Sequence, residues 1–226
     1  MRVIPVLLAS LFLFTTTPAF AECSDTVYSK LASGYILKDV GALASDKPVV
    51  QGGYTRSCGK FTGDVWGRVG PAGKTADEID LSGFYDDRAG PVKYQLSAQY
   101  YFVNLGHSLL KPKDDIVELY ADASIPLTHG KVTVAPLVRA VQMIGVRDLP
   151  SLTLIQPGVR LSVQVSEQSA LSAEVRNSFN LSQHYSNLRW SVGVSHKLTE
   201  HLTGEFGYED TDRTRSVVSV GLRYRY

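Results

Sequence analysis

The chain has 226 residues, with 23 lysines and arginines against 22 acidic residues and a formal charge of +1. No basic excess points to nucleic acid or to an anionic surface, so no nucleic-acid partner is expected. The mean hydropathy of −0.04 shows no sign of membrane helices, but a transmembrane barrel escapes that test because half of each strand faces a polar interior.

The first segment reads as a secretory leader. Arg2 is its only charge, Val3 to Phe14 is almost continuously apolar, Thr15-Thr16-Thr17-Pro18 breaks the run, and Ala19-Phe20-Ala21 supplies a small-x-small cleavage site. The apolar run is too short for a spanning helix. Glu22 occupies the position where a lipoprotein anchor on Cys23 requires a small residue. The expected division is therefore a signal peptide over 1–21 and one barrel over 22–226. Without Arg2 the exported chain is formally neutral.

Alternation and turn residues then mark about twelve strands, each near the ~9–11 residues that a tilted strand needs to cross a bilayer. They are Tyr28–Asp39, Val49–Arg56, Phe61–Val69, Glu78–Asp86, Val92–Val103 and Ile116–Leu127. Val132–Met143, Leu152–Val165, Ala170–Ser178, Leu188–His196, Leu202–Glu209 and Thr214–Tyr226 follow. Ten strands would result if the first hairpin stood outside the wall. Every second connection is short (Ser57–Lys60, Asp87–Gly90, Thr128–Lys131, Ser166–Ser169, Lys197–His201). The intervening ones are mostly longer, Asp210–Arg213 being the exception. Short periplasmic turns, longer external loops and an even strand number are the pattern of outer-membrane barrels. Cys23 and Cys58 both fall at the periplasmic end, in a compartment that oxidises thiols. They form either a disulfide pinning the N-terminus to the wall or two independent thiols.

Parity assigns the faces. Phe61, Val65 and Val69 oppose Thr62, Asp64 and Arg68; Leu188, Trp190 and Val192 oppose Arg189 and Ser191. Tyr28, Tyr54, Tyr94, Tyr208 and Tyr226 fall near strand ends, where amphipathic rings suit the headgroup level. Val132–Met143 is apolar on both faces. Pro136 and Pro157 each remove a ladder hydrogen bond, so bulges are expected there. The residues expected to line the lumen begin with Asp64, Arg68, Glu78, Asp80 and Lys93. Further along come Glu118, Asp122, Arg160, Glu174 and Arg176, then Arg189, Glu205, Arg215, Arg223 and Arg225. Their signs interleave, so no single-sign ring imposes strong ion selectivity.

His184-Tyr185-Ser186-Asn187 fits the H-x-S-N pattern of outer-membrane phospholipase A and of outer-membrane lipid A deacylases. That resemblance implies His184 as base and Ser186 as nucleophile, facing lipid at the outer rim, with Asp210 the best stand-in for an orienting acid. The phospholipase uses an asparagine for that role, and no Asn follows Asn187. The plain alternative is a solvated external loop. His107, His129, His196 and His201 lack metal-ligand spacing. Lys111-Pro112-Lys113-Asp114-Asp115 reads as a solvated tip or a lipopolysaccharide contact, and Gly70 to Thr75 lacks the phosphate-loop spacing. No cofactor or metal is expected.

The last strand alternates strictly, with Val218, Val220, Leu222, Tyr224 and Tyr226 on one face and Ser219, Gly221, Arg223 and Arg225 on the other. The spacing of Ser219, Gly221, Tyr224 and Tyr226 resembles the C-terminal insertion signal that barrel-assembly machinery reads. A wider resemblance is carried by Ser33-Gly34-Tyr35, Lys47-Pro48-Val49-Val50-Gln51-Gly52-Gly53 and Gly63-Asp64-Val65-Trp66-Gly67. Asp77-Glu78-Ile79-Asp80-Leu81 and Tyr208-Glu209-Asp210-Thr211-Asp212 add to it. These stretches resemble the TorF-type porin family over 33–102 most strongly, although the stretch after Tyr35 departs from that family's basic, glycine-containing turn. The resemblance implies an outer-membrane barrel with a channel role and brings no catalytic residues.

The expectation is an all-β transmembrane antiparallel barrel in the bacterial outer membrane, acting as a narrow, weakly selective porin-like channel. A closed structural or adhesive barrel and a lipid hydrolase are the alternatives. The expected partners are outer-membrane lipid and lipopolysaccharide, the barrel-assembly machinery and small hydrophilic solutes.

Overall fold

The computed structural model describes residues 22–37, 40, 42–70, 78–103, 115–146 and 149–226. The leader and the Lys111–Asp114 tip lie outside these. The strands are β1 Cys23–Ala32, β2 Tyr35–Leu37, β3 Ala42–Ser45, β4 Val49–Cys58, β5 Phe61–Val69, β6 Glu78–Ala89, β7 Val92–Val103 and β8 Ile116–Ser124. They continue as β9 Leu127–His129, β10 Val132–Gly145, β11 Leu152–Gln164, β12 Ser169–Asn180, β13 Tyr185–Lys197, β14 Leu202–Thr211 and β15 Val217–Arg225. β9 extends β8 along β10, and β2 and β3 pair only with each other. The remaining staves close a twelve-strand antiparallel barrel, β1 pairing with β15 and β10 with β11. Closure leaves no sheet edge, the condition for strands to cross lipid.

The barrel is inside-out relative to a water-soluble protein. Apolar side chains face outward, as with Val65 at 47% exposed and Val220 at 53%, while Arg68 and Glu78 are enclosed at 3% and 2%. An exposed apolar surface around the whole wall fits hydrocarbon and not water. Among the described residues no helix is long and apolar enough to cross a membrane; the strands do so.

Both described termini and the tight turns share one end, the periplasmic end of an outer-membrane barrel. Gly59-Lys60, Gly90-Pro91 and Gly130-Lys131 are two-residue hairpin turns whose glycines have φ of 60°, 58° and 56°. Positive φ at the first position only is the type II′ arrangement, whose twist matches the strands it joins. The next two turns use four residues. Ser166 Oγ accepts from the amides of Gln168 and Ser169, and Thr199 Oγ1 from those of His201 and Leu202. Cys23 and Cys58 face each other across β1 and β4 and are joined as a disulfide.

Three expectations change. The first stave ends at Ala32, not Asp39: the chain turns at Ser33-Gly34 and leaves the wall as the β2–β3 hairpin. Pro136 and Pro157 produce no bulge. β10 and β11 pair without a gap in one register, and β8–β9 with β10 and β11 with β12 also keep theirs, these two merely losing the pairs at and beside proline. A missing amide removes a bond without inserting a residue, so the faces stay in phase. β15 begins at Val217, leaving Arg215 exposed in the preceding connection and outside the wall.

Candidate lumen site

The register carries the remaining lumen candidates on one continuous inward face. Asp64 opposes Ser82, Ser82 opposes Gln99, Gln99 opposes Glu118, and Asp122 opposes Arg139. Further round, Arg160 opposes Glu174, Arg176 opposes Arg189, and Glu205 opposes Gly221 between Ser219 and Arg223. Lys93 and Arg225 sit on the same face at the exposed periplasmic mouth. Tyr28 also faces inward, contrary to its expected place in the lipid-interface belt. Its ring lies 5.5 Å from the Arg223 guanidinium and its hydroxyl donates to Asp64 at 3.3 Å. The belt at that end is made by the expected Tyr54, Tyr94 and Tyr226 together with Phe61, Tyr85 and Tyr224. Tyr54 donates to Asp25 (2.5 Å), and Tyr85 and Tyr94 to Asp87 (2.8 and 3.2 Å).

The β2–β3 hairpin folds into the barrel instead of rising above it. Tyr35 stacks on the inward Trp66 at 5.6 Å and lies under the Arg68 guanidinium at 4.2 Å. Ile36, 3% exposed, packs with Ala32, Val49 and Val217 on the inner faces of β1, β4 and β15. Val40 reaches the opposite wall and packs against Tyr120, Val141 and Leu154 on β8, β10 and β11. Ile36 and Val40 therefore touch opposite sides of the lumen. This explains why β10 is apolar on both faces: Ala135, Leu137 and Val141 are buried inward residues, and outward Val134 and Val138 face lipid.

Charges inside the wall are mostly paired. Arg68 and Glu78 form a bridge of 2.7 Å with both side chains 2% exposed. A chain runs from Arg139 to Asp122 (3.1 Å), from Asp122 to Arg176 (3.3 Å), to Glu174 (2.6 Å) and on to Arg160 (2.8 Å). Arg176 reaches past β11 and β10 because Gly158, directly opposite it, has no side chain; a Cβ there would come within 2.8 Å of Arg176 Cγ. Arg189 pairs with Glu209 and Arg223 with Glu205, each at 2.8 Å.

Two cavities flank the inserted hairpin, of about 860 Å³ along β1–β8 and about 240 Å³ beside β12–β15. The larger is acidic: Asp64, Glu78, Asp80, Asp86, Glu118 and Glu205 line it against Lys30, Arg68 and Arg223, a formal excess of three negative charges among the described residues. Sequence reasoning missed Tyr28, Tyr35, Trp66 and Tyr101 as lining residues. Trp66 and Tyr101 share inward parity with charged neighbours, which was the available signal.

The H-x-S-N stretch does not assemble. His184 has a φ of 54° and sits in the 181–184 turn, out of the strand parity that would align it with Ser186. Asp210 lies opposite Trp190, four residues from Ser186, or about 13 Å at the usual rise. Asp210 instead accepts from Tyr208 (2.8 Å). No hydrogen bond joins His184, Ser186 and Asp210. The Ser186 carbonyl accepts from Arg213, whose guanidinium covers Tyr185 at 4.5 Å.

A closed twelve-strand barrel with a lipid-facing apolar wall, a charged interior and an inserted hairpin has the architecture of an outer-membrane β-barrel. Solved structures agree. The KdgM porin matches with a TM-score of 0.62 at 8% identity, over 89% of this chain and 98% of that one. The NanC porin matches with a TM-score of 0.60 at 7% identity, over 88% and 98%. A bacterial polysaccharide outer membrane secretin matches with a TM-score of 0.51 at 11% identity, over 92% and 100%. No protein-family model and no curated protein matches the sequence. At these identities the likeness is one of fold.

Proposed function

We propose that the protein is a TorF-type porin: a narrow channel that passes small hydrophilic solutes through the bacterial outer membrane. The observation that carries this is the water-accessible space of about 860 Å³ running along one wall beside the inserted hairpin. A barrel serving only as a plug has no need to keep such a space beside a loop that already fills the centre. A twelve-strand wall encloses far less than the ~16–18 strands of wide porins, so side chains and the hairpin set the bore. Paired charges of both signs keep discrimination between simple salts weak.

In this reading the leader 1–21 is removed on export. The chain then reaches the assembly machinery, which reads Ser219, Gly221, Tyr224 and Tyr226 on the strand that finally pairs with β1. Lipid and lipopolysaccharide surround the finished wall.

The test is the conductance of the refolded mature protein in a planar bilayer. Reproducible small unitary steps are the expected result. Silence from protein shown to be folded by its heat-dependent gel mobility would replace the channel with a closed barrel.

A further inference from the structure

Asp80 lies in a row that the register defines: Trp66 on β5, Asp80 on β6 and Tyr101 on β7 stand directly opposite one another on the inward face. All three line the larger cavity. Asp80 is 7% exposed and its Oδ1 has no hydrogen-bond partner, although the arginine nearest in register, Arg68, is engaged by Glu78 at 2.7 Å. Among the described residues, Asp64, two residues from Trp66 on the same face, accepts from neutral hydroxyls, those of Thr55 and Tyr28. A deep carboxylate with an unsatisfied oxygen, set beside the carboxylate of Glu78, is unfavourable as an anion unless it takes up a proton or something cationic approaches it. Aromatic rings on both sides favour a cation that is organic and weakly hydrated, since ring faces attract alkylammonium groups. A coordinated metal fits poorly: among the described residues no group of three or more His, Cys, Asp or Glu side chains could hold one.

We propose that the Trp66–Asp80–Tyr101 row is a binding site for small organic cations, namely amines with more than one ammonium group. Such a solute places one ammonium on Asp80 between the two rings and a second toward Asp64. This deepens the channel reading by naming the class of solute, and it rests on that reading only for the claim that the solute passes through. Two of the three cations lining the cavity already lie over aromatic rings, Arg68 on Tyr35 at 4.2 Å and Arg223 on Tyr28 at 5.5 Å. The same preference is thus visible elsewhere along the wall.

The chain has two tryptophans, and Trp190 faces outward opposite Val175 and Asp210. A Trp190→Phe barrel, refolded in zwitterionic detergent, therefore reports on the cavity through Trp66 alone. Its fluorescence is titrated with spermidine and, at matched ionic strength, with citrate. A saturable response to spermidine, none to citrate, and at least a fivefold weaker affinity in both Asp80→Asn and Asp64→Asn are expected. Equal responses to the two probes, or unchanged affinity in both folded variants, would overturn the site. The same protein is tested in a planar bilayer: binding without conductance removes the channel and leaves the site, whereas conductance without a spermidine response removes the site and leaves the channel.

Discussion

Arg68 shows how much a single interior residue holds in place. It bridges to Glu78 across β5 and β6 with both side chains 2% exposed, and it covers Tyr35 of the inserted hairpin at 4.2 Å. Removing one member of an enclosed ion pair leaves the other charge uncompensated, which typically costs about 3–5 kcal/mol. Arg68→Ala is therefore expected to lower the urea stability of the refolded barrel by about that amount, with Arg68→Ala/Glu78→Gln recovering part of it. An unchanged unfolding midpoint would show that water reaches the pair. Parity alone places Arg68 and Glu78 on the inner face. Their pairing required the register, since the connection between β5 and β6 sets which residues stand opposite.

At the level of elements the β2–β3 hairpin is the largest departure from the pattern of alternation. Tyr35, Ile36 and Leu37 look like a continuing strand because they are β-prone and follow an alternating run. What turns them inward is packing. Ile36 finds Ala32, Val49 and Val217 on the inner wall, and Val40 finds Tyr120, Val141 and Leu154 on the far side. Those partners are scattered over the whole chain, so no local window reveals them. Replacing residues 36–44 by a short glycine–serine linker spares the staves on either side and removes the side chains that Ile36 and Val40 place in the lumen. Unitary conductance is expected to rise at least twofold, with single steps becoming noisier. No change in conductance would mean that the bore is set elsewhere in the wall.

For the molecule as a whole, the decisive contrast is between an apolar outside and a charged inside. Val65, outward and 47% exposed, faces hydrocarbon; an arginine on the lipid face near the midplane costs about 2–4 kcal/mol. Val65→Arg is expected to reduce refolding yield into vesicles and to lower stability by that amount, whereas the inward Thr62→Arg is expected to be mild. Equal effects would contradict the lipid-facing assignment. Closure depends on β15, which pairs with β1 from Ser219 to Arg225 and is extended by mutual bonds between Asp25 and Tyr226 at 3.1 and 3.2 Å. Tyr226→Ala removes an aromatic from the periplasmic belt and from the proposed assembly signal. The amount of folded barrel in the outer membrane is expected to fall several-fold. Normal levels would show that the final ring is dispensable.

The wall was legible in the amino-acid order because a strand crossing lipid must alternate: each side chain meets either hydrocarbon or the lumen, and the period of two survives even at Pro136 and Pro157. The turns were legible for the same kind of local reason, since Gly59, Gly90 and Gly130 supply a backbone angle that few other residues adopt. The contents of the barrel were decided elsewhere. Arg176 meets Asp122 because Gly158 leaves room between them. Tyr35 meets Trp66 because a loop folds back. His184 fails to meet Ser186 and Asp210 because a turn takes it out of register. These meetings join residues far apart in the chain, and they exist only once the sheet closes and fixes which side chains share one enclosed space.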